Sequence, residues 1–159
     1  MTHDNFTLEP AMTKAEKYET LLKQAESLLA DETNTLANMS NVCALLHHGL
    51  CFWWTGFYLV DGDELVLGPF QGPVACTRIG YGKGVCGHAW KEQLSVVVPN
   101  VHEFEGHIAC SSESNSEIVL PITKDGEIIG VFDVDSKEFN TFDETDVIYL
   151  QKILSLISE

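Results

Sequence analysis

The sequence predicts one α+β domain in which a central, mostly antiparallel sheet carries helices on one face and a pocket on the other. Two amphipathic helical segments open the chain, several strands follow with a short internal helix, and another amphipathic helix closes it. Helices that flank such a run of strands pack together on one face of the sheet. We expect residues 1–159 to form this single domain, with residues 1–12 flexible or loosely packed.

Composition restricts the classes of partner. The 159 residues carry a net charge of −15, from 9 basic and 24 acidic side chains. This balance disfavours nucleic acid and anionic membranes, which both need a basic patch. No apolar stretch reaches the ~20 residues of a membrane span, and the N-terminus lacks a signal pattern. We therefore expect a cytoplasmic protein, where structural disulfides are rare, and its five cysteines become free thiols, metal ligands or redox groups.

The first two elements are helices. Thr13 and Glu16 form a capping-box pattern before the apolar stripe of a helix predicted over Thr13–Ala30. A second helix is predicted over Thr33–Leu50. Cys43 lies in its apolar stripe, which predicts a buried small hydrophobic residue.

A strand and turn follow. Aromatic and β-branched content predicts a strand over Cys51–Val60, which turns into a second strand over Glu64–Phe70. Alternation places Trp54 and Tyr58 on one face and Trp53 on the other. Two adjacent tryptophans on opposite faces predict that both faces are covered, one by helices and the other by a ligand.

The next segment is rich in glycine. Residues 80–87 are expected to be flexible and to lead into a helix over Val85–Gln93. A phosphate loop is rejected, since no Gly-Lys-Ser/Thr is present. Cys76, Cys86 and Cys110 lack zinc-knuckle spacing but lie in or beside loops, which suits thiol chemistry between partners that must meet.

The remaining segments close the fold. Leu94–Pro99 is predicted to be a strand, and residues 101–109 a loop. The last helix is predicted over Phe142–Ile157, with Thr141 as its N-cap and Glu144 at the third helical position.

A hairpin centred on Gly126 joins two apolar strands, and its register follows from parity. A uniform apolar face requires even-numbered residues to pair with even ones, which a three-residue loop Lys124–Gly126 allows. This register pairs residue 123 with 127 and places Glu117 opposite Asp133, with Asp135 next along the strand. The apolar residues concerned are Ile118, Leu120, Ile122, Ile128, Phe132 and Val134.

Three carboxylates therefore share the other face of the hairpin. Cross-strand neighbours lie about 5 Å apart, so the like charges repel and at least one pKa should rise. A solvated acidic face is the alternative interpretation. Cys110 just upstream and the apolar residues of the same face favour a pocket instead; these residues are Val119, Pro121, Ile129 and Val131.

Six segments carry a family resemblance: WTGFYLV, LVLGPFQG, ACTRI, GKGVCG, HIACSSESNSEIVLP and GVFDVDS. Together they resemble the free methionine-(R)-sulfoxide reductases, enzymes built on the GAF fold. The similarity runs from about Asn34 to Leu154 and excludes residues 1–10. Ordinary ligand-binding GAF domains lack GPFQG, GVCG and HIAC in combination. Cys43 and Cys51 are not part of the family pattern.

The resemblance implies reduction of free L-methionine-(R)-sulfoxide to methionine. It further implies recycling by thioredoxin, which draws on NADPH through thioredoxin reductase, and a homodimer. No bound cofactor and no metal is implied.

The resemblance also implies roles for three cysteines. Cys110 is the expected nucleophile, and Cys76 and Cys86 are the expected resolving thiols. Attack on the sulfoxide would leave a cysteine sulfenic acid, which condenses with a nearby thiol. Which of Cys110 and Cys86 attacks first stays open.

Five further residues are expected to contact the substrate. Glu117, Asp133 and Asp135 are implied to bind it and supply the acid, since a crowded carboxyl group can stay protonated near neutral pH. An ionised member can pair with the ammonium of a free amino acid. Trp54 is the implied wall for the S-methyl group, with Tyr58 nearby.

Two other functions compete with catalysis. A stand-alone GAF sensor would bind a small molecule without turnover, and a thiol-rich redox buffer would need no acid cluster. The three carboxylates disfavour the buffer, and the absence of an output domain disfavours the sensor.

Overall fold

The computed structural model describes residue 8 and residues 11–108, 110 and 113–157. The expected loosely packed stretch, residues 1–12, lies mostly outside them. The helices and strands follow in the order α1 (Lys14–Leu29), α2 (Thr35–Leu50), β1 (Trp54–Asp61), β2 (Glu64–Gln71), β3 (Arg78–Gly80), α3 (Gly84–Glu92), β4 (Val96–Val98), a 3₁₀ turn (Val101–Glu103), β5 (Ser116–Lys124), β6 (Glu127–Ser136) and α4 (Glu144–Ser155).

One sheet organises these elements. Its strand order is β3-β2-β1-β6-β5-β4, and every neighbouring pair is antiparallel. The long hairpin β5–β6 therefore lies inside the sheet, next to β1. The predicted antiparallel α+β architecture is confirmed. Within the described part of the chain, no helix is both long and apolar enough to span a bilayer.

Two apolar layers cover the two faces of the sheet. The first lies under α1, α2 and α4, where Tyr18, Leu21 and Ala25 recur at helical spacing and are buried. Phe57 and Phe132 meet this layer from the sheet with ring centroids 4.9 Å apart. The second layer, under α3, includes buried side chains from β1, β5 and β6. The terminal helices thus share one face, as predicted, and leave the other to a pocket.

Helix starts agree with capping chemistry rather than with hydrophobic pattern alone. Thr13 caps α1 in a reciprocal capping box, as predicted. Asn34 caps α2, so this helix begins two residues later than expected. The predicted N-cap Thr141 of α4 is wrong, because Asp143 takes that role and exchanges hydrogen bonds with Asp146. A carboxylate at this position also suits the positive end of the helix dipole.

The predicted three-residue hairpin loop is wrong. Lys124 pairs with Glu127, which leaves a two-residue turn. Asp125 and Gly126 both have positive φ, 53° and 81°, the conformation whose twist matches that of the flanking strands. An irregularity at Ile122 then restores the pairing of even-numbered residues, since a bulge inserts one extra residue into a strand.

The bulge shifts the register that parity alone suggested. Glu117 lies opposite Asp135, and Val119 lies opposite Asp133. All three acids still share one face, because the shift is by two residues and side chains alternate with a period of two. Ile129 is the extra residue, and it packs with the helix-side core instead of the predicted pocket face.

The glycine-rich segment is more structured than expected. Its first residue, Gly80, ends the short strand β3, which the sequence did not reveal. The chain then folds back through hydrogen bonds from Gly82 N to Gly87 O and from Gly87 N to Lys83 O. A Cβ at Gly87 would lie 2.6 Å from the Gly80 carbonyl oxygen. Only glycine permits this close turn, which places the start of α3 over the pocket.

A buried charge joins the two terminal helices. Asp146, with 3% side-chain exposure, lies 2.7 Å from Lys14 Nζ and accepts a 2.6 Å hydrogen bond from Tyr18. Lys14 also donates to the Thr141 carbonyl at 2.9 Å. The lysine therefore neutralises a carboxylate that has little access to water.

We expect Lys14→Ala to lower the free energy of unfolding by about 1 to 3 kcal/mol, because it leaves Asp146 buried without its cation. Urea denaturation checks this value. Lys23→Ala, on the exposed side of the same helix, should stay within about 0.5 kcal/mol of the parent protein. Equal losses in the two variants would contradict the assignment of the ion pair.

Candidate active site

A cavity of about 580 Å³, partly open to solvent, lies on the sheet face opposite the terminal helices. It is bounded by the sheet below and by the start of α3 and the segment before β5 above. Seven of the eight predicted site residues line the cavity: Trp54, Tyr58, Cys86, Cys110, Glu117, Asp133 and Asp135. The eighth, Cys76, is bonded to the lining residue Cys110.

The three acids lie side by side on the floor of the cavity. Glu117 is 6% exposed and Asp133 is 5% exposed, whereas Asp135 is partly buried. Burial is the largest cause that raises the pKa of each of these carboxyl groups, since low-dielectric surroundings disfavour the charged form. For Glu117 and Asp135, repulsion from the other acids raises the pKa further.

Hydrogen bonding affects the pKa of Asp133 differently from the pKa of Glu117. After burial, hydrogen bonds from Glu117, Cys86 and Asp135 act in the opposite direction and lower the pKa of Asp133. Hydrogen bonds with Asp133 and Asp135 instead raise the pKa of Glu117 further. The pKa of Asp133 is also raised, but less than the pKa values of Glu117 and Asp135, so Asp133 is the acid of the three that ionises most readily.

Few of the described side chains outside the cluster donate hydrogen bonds to the three acids. Ser114 Oγ donates to Asp135 at 3.2 Å, and His107 Nε2 lies 3.9 Å from Glu117 Oε1. Burial lowers the pKa of His107, with repulsion from His102 as a smaller cause, so the imidazole favours its neutral form. Asp133 Oδ1 is buried, and no permanent donor among the described residues reaches it. A proton shared with a neighbouring acid, a water molecule or a cation from outside could satisfy this oxygen.

Cys86 belongs to the acid cluster. It lies in the first turn of α3, is 3% exposed, and its Sγ lies within 4.8 Å of carboxylate oxygens of Glu117 and Asp133. Burial first, and then the negative charge of the acids, raises the pKa of this thiol well above its usual value. The thiol is thus held in its neutral form, which is a poor nucleophile.

Cys76 and Cys110 form a disulfide, with Cα atoms 5.5 Å apart. The pair spans the segment between β2 and β3 and the segment before β5. Tyr58 Oη donates to the Cys76 carbonyl oxygen at 2.8 Å and anchors this side of the rim. Among the remaining cysteines, Cys43 is buried as predicted, and Cys51 is exposed.

Aromatic rings form one wall of the cavity. Trp54 stacks against Tyr58 and Phe70, with ring centroids 5.9 and 5.4 Å away, and its indole N–H donates to the Pro73 carbonyl at 3.0 Å. The prediction that Trp53 lies on the opposite face is wrong, since it also lines the cavity. The alternation starts only at Trp54, where β1 begins, and so does not extend back to Trp53.

Several lining residues escaped sequence reasoning. His107 and Ser114 precede β5 in an irregular segment, where no periodicity fixes a side-chain direction. Their proximity to the sequence HIAC and to Glu117 was the only available signal. Val74 and Ile108 line the mouth and are 88% and 40% exposed, and nothing in their local pattern marked them.

Comparisons with known proteins place this geometry in a family. Residues 39–159 match the GAF domain family. The chain is 58% identical over 91% of its length to GAF domain-containing protein A of Dictyostelium discoideum, with 92% of that protein covered. It is 45% identical over 93% of its length to the free methionine-R-sulfoxide reductase of Escherichia coli, with 90% of that protein covered.

A solved structure agrees with the sequence relatives. The free methionine-R-sulfoxide reductase of Neisseria meningitidis, in complex with its substrate, superposes with a TM-score of 0.92 at 50% identity and covers 96% of this chain and 93% of that one. The chain therefore belongs to the free methionine-(R)-sulfoxide reductase family of GAF-domain proteins.

Proposed function

We propose that the protein is an oxidoreductase that reduces free L-methionine-(R)-sulfoxide to L-methionine. The observation that carries this proposal is a redox-capable cysteine, Cys110, in the same cavity as a buried, proton-holding acid cluster. The named activity of relatives at 45–50% identity supports the same reaction. A thiol and an acid are the two groups that removal of a sulfoxide oxygen requires.

Recognition of a free amino acid follows from charge. The ionised acceptor Asp133 can pair with an α-ammonium group, which a methionine within a peptide lacks. The Trp54 indole, which lines the cavity, offers an apolar surface for the S-methyl group. These contacts would orient the sulfoxide oxygen towards Glu117 and Asp135, the acids that favour the protonated form.

The first chemical step transfers oxygen to sulfur. Attack of the Cys110 thiolate on the sulfoxide sulfur forms a sulfur–sulfur bond, and Glu117 or Asp135 protonates the oxygen. The resulting hydroxyl group moves to the Cys110 sulfur as its bond to the substrate sulfur breaks. The sulfur–sulfur bond then breaks with its electron pair on the substrate sulfur, which releases methionine and leaves Cys110 as a sulfenic acid. Cys110 suits this role better than Cys86, because burial first, and then the negative charge of the acid cluster, raises the pKa of the Cys86 thiol well above its usual value.

The second step forms the disulfide. The Cys76 thiol attacks the sulfenic sulfur of Cys110, a disulfide forms, and the oxygen leaves as water. The disulfide in the structure supports Cys76 as the resolving thiol. Two electrons and two protons, from thioredoxin and ultimately NADPH, would restore both thiols. A cytoplasmic location suits this recycling, and the implied homodimer stays a prediction that light scattering can check.

A coupled assay tests the proposed reaction. With thioredoxin, thioredoxin reductase and NADPH, we expect turnover of the free R epimer and none of the S epimer or of N-acetylmethionine sulfoxide. Cys110→Ser should abolish turnover, whereas Cys51→Ser, which alters an exposed thiol outside the cavity, should not change it. Tight binding of the sulfoxide without turnover would replace this proposal with a sensor function.

Single-turnover mass spectrometry tests the roles of the cysteines. The reduced protein should lose two hydrogens after one equivalent of sulfoxide, and Cys86→Ser should do the same because Cys76 and Cys110 form a complete pair. Cys76→Ser should instead accumulate a sulfenic acid that a dimedone probe labels. Disulfide formation that survives Cys76→Ser and disappears in Cys86→Ser would reverse the two roles.

The acid cluster predicts a conflict between activity and stability. Since the pKa of Glu117 is raised in the folded state, the folded protein holds a proton that the unfolded chain releases. Stability from this group is complete below the ordinary pKa of about 4.3 and falls as the pH rises towards the folded pKa. Glu117→Gln imitates the protonated acid, so its stability should not fall in this way as the pH rises.

We therefore expect Glu117→Gln to lower kcat by about 10² to 10⁴, through loss of the proton donor. It should also raise the Tm more at about pH 8 than at about pH 5, by roughly 2–4 °C for each kcal/mol of repulsion that is relieved. Thermal unfolding and steady-state kinetics measure both effects. Asp63→Asn, at an exposed position, is the control and should change neither. A destabilised, fully active Glu117→Gln would refute the proton-donor role.

A further inference from the structure

One group of atoms at the cavity floor has the composition of a metal site. Cys86 Sγ and one carboxylate oxygen each from Glu117 and Asp133 all lie within 4.8 Å of one another. All three residues are buried. They come from α3, β5 and β6, so three different elements direct donor atoms to a common point.

A second feature of the same point is an unsatisfied acceptor. Asp133 Oδ1 is buried in a residue that is only 5% exposed, and it receives no hydrogen bond from a permanent donor of the described chain. A buried carboxylate oxygen without a partner is costly. A cation at this point would satisfy it and would also screen the repulsion between the acids.

We propose that Cys86, Glu117 and Asp133 form a binding site for one thiophilic divalent cation of the zinc type. A tetrahedral Zn²⁺ with ligand distances of about 2.0 to 2.3 Å separates its ligands by about 3.3 to 3.7 Å, so donor atoms that lie within 4.8 Å of one another have to approach by at most about 1.1 to 1.5 Å. The thiolate selects zinc, cadmium or cobalt over magnesium and calcium, which prefer oxygen ligands.

The cation would act as an inhibitor and not as a cofactor. It would displace protons from Cys86 and Glu117, because a metal binds the thiolate and the carboxylate. It would also occupy the position at which Asp133 meets the substrate ammonium group. This consequence, but not the binding itself, rests on the proposed function. Zinc and methionine sulfoxide should therefore exclude each other.

The site does not depend on the redox state of the other thiols. Cys86 is a free thiol while Cys76 and Cys110 are joined. The metal-binding group is therefore present in the oxidised protein. This separation allows the site to be tested without interference from the redox-active pair.

Cobalt is the optical probe for the test. Titration of the chelator-treated, disulfide form of the whole chain with Co²⁺ should produce a thiolate-to-cobalt charge-transfer band that saturates at one equivalent, and Zn²⁺ should abolish the band. Cys86→Ala should remove the band, and Asp133→Asn should weaken cobalt binding at least tenfold while leaving the thiol in place. Circular dichroism establishes that both variants are folded.

Cys51→Ser is the matched control, since Cys51 is the exposed free thiol of the described chain. It should keep the band unchanged. Absence of any band, or a band that survives Cys86→Ala and is lost in Cys51→Ser, would overturn the proposal.

Enzyme kinetics separate this inference from the proposed function. Zn²⁺ should raise the apparent KM for the sulfoxide and leave kcat unchanged, because excess sulfoxide displaces the ion from the site. A charge-transfer band in a protein that does not turn over the sulfoxide would support the metal site and refute the reductase function. Turnover in a protein that shows no band would support the reductase function and refute the metal site.

Discussion

Three carboxyl groups on one buried patch of sheet set the constraint that the rest of the site accommodates. Glu117, Asp133 and Asp135 cannot all be ionised at low cost, because burial and mutual repulsion both oppose charge. The pKa values of Glu117 and Asp135 are raised well above their usual values, whereas hydrogen bonds partly offset the effect of burial on Asp133. The fold therefore favours protonated acids at this patch, in a protein with a net charge of −15.

The cysteines of the site differ in their surroundings. Cys86 shares the low-dielectric floor with the acids, so its thiolate is disfavoured and its thiol donates to Asp133. Cys110 and Cys76 lie at the rim, on segments outside the sheet, where they can join in a disulfide. The acids and the proposed nucleophile Cys110 thus line one cavity, and of its two lining cysteines Cys86 is the one in the acid cluster.

Sequence reasoning predicted the shared face of the acids because side-chain alternation survives any register shift of two residues. The predicted partner of Glu117 was wrong because two different turns pair even-numbered residues with even-numbered ones. The expected three-residue loop does so, and so does the observed two-residue turn at Gly126 followed by a bulge. Trp53 was misplaced because alternation has no meaning before a strand begins. Thr141 was misassigned because a capping pattern also started at Asp143. Local sequence patterns predicted the helices and strands and the face on which each side chain lies. Where two patterns were equally compatible with the sequence, as for the turn and the N-cap, tertiary packing decided between them.

The central claim is that a carboxyl group of this cluster remains protonated at neutral pH. Carbon-13 NMR of carboxyl-labelled glutamate and aspartate measures it directly, with Glu117→Gln and Asp135→Asn to assign the signals. We expect the Glu117 signal to keep the chemical shift of a protonated acid at about pH 7, well above the ordinary pKa of about 4.3. Signals showing all three acids ionised at that pH would contradict this protonation state.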